Sequence, residues 1–139
     1  MKTVVEPVKT IKEFSDRLCQ IKLRSDYILQ VNTTKDVEYG TSQAAQVIKN
    51  MLDFADNKQF YILIVSGDYA NVTYESIKLL SSPIAMSYSL AKAYVINSLP
   101  QKLMANFYLK TLKTNKPVKF FRNQTDAEQW LKSLQLPNA

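Results

Sequence analysis

Histidine is absent from all 139 residues, and that absence removes a large part of enzyme chemistry. Without an imidazole there is no Ser-His-Asp or Cys-His nucleophile, no His-ligated zinc, and no side chain that ordinarily titrates near neutral pH. Cysteine occurs once, as Cys19, so neither an intrachain disulfide nor a thiolate metal cluster can form. The two glycines, Gly40 and Gly67, are too few to write a GxGxxG turn or a Walker-type phosphate loop. No window reaches the roughly 18 apolar residues of a membrane helix. The start MKTVVEPVKTIKEF lacks the sustained apolar stretch of a signal peptide. The carboxylates are scattered: Asp53 and Asp56 lie three apart on one predicted helix, and Asp126 and Glu128 serve the start of another. None pairs for acid/base work or converges as a hard-ion site needs. These absences predict a cytoplasmic, non-enzymatic protein with no cofactor, no bound metal and no transmembrane segment.

What is present is an ordinary globular composition, 46% hydrophobic and 22% charged, in a chain of one domain's length. Cys19 alternates with Ile21 and Leu23, the pattern of a small buried hydrophobe rather than a nucleophile. The net charge of +6 is uneven: residues 1–99 carry 11 Lys/Arg against 10 Asp/Glu, and residues 100–139 carry 7 against 2. The basic stretch Lys110–Arg122 could be a solvated face or an anionic contact. Nucleic-acid readers interleave basic residues with exposed aromatics, whereas Phe120 and Phe121 fall inside a predicted strand, so nucleic acid is not expected.

Periodicity orders the rest. Residues 1–17 read as an arm or short helix, with Ile11, Phe14 and Leu18 at helical spacing. Leu18–Arg24 and Tyr27–Val31 alternate across Ser25-Asp26 and predict an antiparallel hairpin. Ala44, Ile48, Met51, Leu52 and Ala55 form one helix face, with Thr41 or Ser42 as N-cap and Asn57 as the stop. Phe60–Val65 is uniformly apolar, as in a strand covered on both faces. Thr73 precedes a helix holding Ile77 and Leu80, and Ser82-Pro83 starts a further turn. Ala91–Ile96 reads as a strand. Ser98 and Pro100 open a helix with Leu103, Met104, Phe107, Tyr108 and Leu112 inward. Val118–Phe121 is the last strand. Thr125-Asp126-Ala127-Glu128 reads as a capping box, with Thr125 as N-cap, and Ala127, Trp130, Leu131 and Leu134 follow as an inner face. This is an α/β domain over 18–136 with a single mixed sheet, antiparallel at its start and then parallel βα units with about four helices, and a frayed tail at 137–139.

That order of elements, with the ending VKFFRNQTDAEQWLKSL and its "xxAxxWL" helix at Thr125–Leu131, resembles the STAS or SpoIIAA-like superfamily, nearest its bacterial STAS/SEC14-like branch. The resemblance implies a SpoIIAA-like fold and a non-enzymatic regulatory role: docking a protein partner or a second copy, as a homodimer. The related lipid-transfer fold implies the alternative, a carrier or sensor of an apolar ligand. The family's switch serine maps to the junction Ser66–Ser76, where Thr73 and Ser76 are the regulatory hydroxyls nearest it. Its Asp-Ser-Ser-Gly-like turn is replaced by Thr73-Tyr74-Glu75-Ser76.

Two further groups of residues bear on a site. Ser66-Gly67-Asp68 ends a central strand, where α/β proteins place ligands, and is otherwise a connection whose glycine permits a strained turn. Tyr74, Met86, Tyr88, Met104 and Tyr108, with Tyr69 and Tyr94 nearby, would line an apolar pocket or interface, or simply cap the core with their hydroxyls in water.

Overall fold

The computed structural model describes residues 7–111 and 115–135; the tail 137–139 and Leu112 lie outside them. Six strands form one sheet: β1 (Thr10–Ser15), β2 (Cys19–Arg24), β3 (Ile28–Thr33), β5 (Phe60–Val65), β7 (Ser89–Val95) and β8 (Val118–Phe121), in that spatial order. Between them come β4 (Glu38–Tyr39) and β6 (Asn71–Val72), which make a separate two-stranded parallel ladder. The helices are α1 (Thr41–Ala55), α2 (Tyr74–Leu80), the single turn α3 (Pro83–Met86), α4 (Leu99–Thr111) and α5 (Gln124–Gln135). The expected mixed sheet is present. β1–β2–β3 pair antiparallel, and β3–β5–β7–β8 pair parallel.

Strand alternation sorts the side chains onto two faces. Cys19, Ile21, Leu29, Val31 and Ile62 meet Met51, Phe54 and Ala55 of α1 on one side. Ile28, Leu63, Ala91, Ala93 and Val95 meet Ala127 and Leu131 of α5 on the other. The α5 face is only half covered. Over β2 and β3 it carries a polar ladder instead, in which the Gln30 amide donates to Asn32, Asn32 to Gln20, and Gln20 to Glu13.

Four local expectations are corrected. The N-terminal segment is not a helix: Thr10–Ser15 is an exposed edge strand hydrogen-bonded to β2, because an available strand edge satisfies its backbone better than an isolated turn could. Gly40, not Thr41 or Ser42, occupies the N-cap of α1, and the left-handed residue closing it is Asp56. In α4, Met104 and Tyr108 face inward as expected, joined by Gln101 and Ala105, while Leu103 faces solvent. The cap of α5 is Asn123, whose Oδ1 accepts from the Asp126 N–H at 2.9 Å. Glu128 is thereby released from the expected capping box and bonds Arg24 at 2.5 Å.

Candidate ligand-binding cavity

The helices α1, α2 and α4 do not close down on the sheet. They leave a cavity of about 130 Å³ over β3, β5, β7 and β8. Its floor includes Val31, Ile62 and Ile64, and its walls include Val47 and Met51 of α1, Leu80 of α2, and Met104 and Ala105 of α4. The reason lies in β7. There Ala91 and Ala93, both fully buried, let α5 approach the sheet closely on one side. Alternation then sends Lys92 and Tyr94 to the opposite side, where both line the cavity.

Lys92 is the charged member of that lining. It is 2% exposed, on a strand with partners on both sides. No carboxylate among the described residues lies within ion-pair distance of it. Its Nζ stands 5.3 Å from the ring centroid of Tyr88, within cation–π reach. Burial, reinforced by the positive charge of Lys116, lowers its pKa to about 8. Around it the aromatic rings are mutually packed: Tyr94 stacks on Phe120 at 4.8 Å, and Tyr108 meets Phe120 edge-on at 5.7 Å. Burial pushes the Tyr94 and Tyr108 hydroxyls upward in pKa, so both remain neutral donors. The Tyr108 hydroxyl is buried with no hydrogen-bond partner among the described residues, an uncommon state for a polar atom.

The expected pocket residues divide. Tyr88, Met104 and Tyr108 line the cavity. Met86 is buried but outside the lining. Tyr74 is half-exposed, edge-on to Phe107 at 4.6 Å with Lys78 above its ring. Tyr69 projects into solvent.

Lys92 was missed in the sequence although a signal existed. AKAYVI is a strand in the parallel part of the sheet, and a parallel strand with neighbours on both sides buries both faces. Any lysine inside it must therefore be buried.

The junction Ser66-Gly67-Asp68 borders the same cavity through Ser66. Gly67 is required for close approach, not for a left-handed backbone. A Cβ there would stand 2.5 Å from the Thr33 carbonyl oxygen and 2.7 Å from the Lys35 nitrogen. Its own N–H donates to Thr33 Oγ1. The Asn97 amide donates to Asp68 and to the Ser66 carbonyl, and the Gln101 amide donates to the Gly67 and Ala70 carbonyls. The polar groups of this junction named here are engaged in tying it to β3, to Asn97 and to Gln101 of α4.

Thr73 and Ser76 are likewise engaged. Thr73 Oγ1 accepts from the Ser76 N–H at 3.3 Å as the N-cap of α2. The Ser76 hydroxyl donates to the Tyr39 carbonyl at 2.8 Å and is wholly buried. In this conformation a phosphate on Ser76 would have no room and a desolvated charge.

In the basic stretch, Lys116 Nζ donates to the Met86 carbonyl and Lys119 lies over the Phe121 ring. Cys19 is buried and its thiol is pushed up to about 11 by burial, the state of an inert thiol. Among the described residues no three His, Cys, Asp or Glu side chains gather as metal ligands, and no helix is long and apolar enough to cross a membrane.

Comparison with known proteins adds a family and a structural neighbour. The model of the DUF7793 family, a domain of unknown function, matches residues 21–135. No curated protein matches the chain. Among solved structures, the chain is similar to an uncharacterized DUF3478-family protein from Shewanella loihica PV-4, described as having a SpoIIAA-like fold. The identity is 15% and the TM-score 0.47, covering 94% of this chain and 98% of that one.

Proposed function

Since the chain belongs to the DUF7793 family, a domain of unknown function, its own geometry is what bears on its role, and we propose that it is a non-enzymatic module that binds a small, largely apolar molecule between its helices and its sheet. The observation that carries this is the cavity of about 130 Å³, because native interiors are close-packed and hold few voids larger than a water molecule. A ligand in an apolar cavity gains dispersion contacts along its whole lining. The test is native mass spectrometry of freshly purified protein, with a thermal melt in the presence of toluene. The expected results are a small-molecule adduct or a raised Tm, and loss of both when Ala105→Phe fills the space. A wild-type protein without adduct and without a shift would refute the reading.

A second reading, docking of a protein partner or a second copy, is supported by the outer side of α4, where Leu99 and Leu103 are 68% and 59% exposed one helical turn apart. Sedimentation of the wild type and Leu103→Glu checks it. A dimer lost in the variant supports it, and a monomer in both removes the homodimer.

A further inference from the structure

We propose that the cavity selects a small monocarboxylic acid, whose carboxylate meets the Lys92 ammonium and the Tyr108 hydroxyl while an apolar body of about benzene size fills the remaining space. This rests on the cavity being a ligand site, and it assigns the head group and size of what enters.

The charge comes first. Among the residues lining the cavity, Lys92 is the one with an ionised side chain, and no Asp or Glu is among them. An ammonium taken out of water without a counter-ion is costly, and the Tyr88 ring at 5.3 Å offsets only part of that cost. Lys116, whose Nζ is 2.9 Å from the Met86 carbonyl, adds positive potential and no compensation. A ligand carboxylate supplies the missing charge in the low-dielectric surroundings where a charge-assisted hydrogen bond is strongest.

The second observation is independent of the first. Among the described residues the Tyr108 hydroxyl has no hydrogen-bond partner. Tyr108 is buried and lines the same cavity, so it can donate to an oxygen of the same ligand. One ammonium and one neutral hydroxyl match a single carboxylate, and a dianion would carry a second charge into an apolar wall.

Size sets the body. A dry apolar cavity of about 150 Å³ holds benzene, and this one, at about 130 Å³, is close to that. A long acyl chain would have to extend beyond that space into solvent. The rings of Tyr94, Tyr108 and Phe120, 4.8–6.4 Å apart in their mutual contacts, favour a flat aromatic body or a short branched one.

The test is calorimetric titration of the full chain with benzoate, its neutral counterpart benzyl alcohol and the cationic benzylamine at pH 7. Benzoate is expected to bind wild type at least tenfold more tightly than benzyl alcohol, with no benzylamine binding. Lys92→Met should weaken benzoate at least tenfold and leave benzyl alcohol within twofold. Tyr108→Phe should weaken benzoate severalfold. Between pH 7 and pH 9.5 the benzoate affinity should fall at least tenfold as Lys92 loses its proton, with benzyl alcohol unchanged. The tyrosines of the lining (Tyr39, Tyr88, Tyr94 and Tyr108) are held above their ordinary pKa by burial and stay neutral in that range, and Lys116 is the cation whose charge acts on Lys92. Equal affinity for benzoate and benzyl alcohol, or benzoate binding indifferent to Lys92→Met, overturns the carboxylate assignment while the apolar site stands. Failure of every probe to bind wild type removes the site itself.

Discussion

Lys92 shows how one residue can work against the fold that holds it. Its folded pKa of about 8 lies below its ordinary value of 10.5, so the folded protein binds fewer protons than the unfolded chain between those two pH values. Stability therefore rises with pH from about 8 to about 10.5, and below pH 8 the full penalty applies, on the order of 3 kcal/mol at 1.36 kcal/mol per pH unit. Lys92→Met keeps the aliphatic volume and removes the charge. It should stabilise the ligand-free protein by about 1–3 kcal/mol at pH 7 and flatten that rise. Urea unfolding of both proteins at pH 7 and pH 9.5 checks this. A variant less stable than wild type at both pH values would mean that the ammonium has a compensating partner. A side chain that costs folding energy and faces a cavity is best explained by what it does there.

At the scale of the element, α5 is held by fewer side chains than its hydrophobic spacing suggests. Ala127 and Leu131 are fully buried against Leu63, Ala91, Ala93 and Val95, whereas Trp130 is only partly buried, its ring 5.8 Å from that of Phe121, and Leu134 is exposed. Of the expected inner face, Ala127 and Leu131 thus form the buried centre, and Trp130 and Leu134 lie at its edge. Leu131→Ala should cost about 2–5 kcal/mol, because the deleted atoms leave a void in a closed layer. Trp130→Ala should cost less than Leu131→Ala, since water reaches part of the indole already. Comparing the two denaturation midpoints decides the order, and a larger loss for Trp130→Ala would place the indole in the core. The same helix shows why the capping box failed as a prediction. Thr125 and Glu128 have the right spacing, but the helix begins two residues earlier, capped by Asn123.

Over the whole molecule, the α5 layer is tied to the antiparallel hairpin by one buried guanidinium. Arg24 donates to both oxygens of Asp26, at 3.1 and 2.7 Å, to Gln30 at 3.2 Å, and to Glu128 at 2.5 Å, joining residues 104 apart in the chain. Partial burial alone would raise the Glu128 pKa, yet hydrogen bonds from Arg24 and Gln124 hold it below its ordinary value. The contribution is therefore present above the unfolded-state pKa of about 4.5 and is lost as pH falls through the lower folded value. Glu128→Gln should cost about 1–3 kcal/mol at pH 7 and make the acid limb of the stability curve shallower. Thermal melts from pH 7 to pH 3 test both, and a variant with an unchanged Tm and an unchanged acid limb would show the bridge to be energetically idle.

The sequence by itself determined the mixed α/β class, the βα order of the main sheet from Phe60 onward, though not the short β6, and the burial of Cys19. Those features follow from periodicity and local chemistry, which each segment carries alone. Tertiary structure decided what depends on a neighbour. Thr10–Ser15 became a strand because β2 offered an open edge, and Glu128 became a bridge because Arg24 lies opposite it. It also decided the candidate site. Tyr88, Met104 and Tyr108 were legible as cavity residues by type, but Lys92 acquires its character only from the gap that three helices leave above β7. A void is a property of how layers meet, and no single segment encodes it.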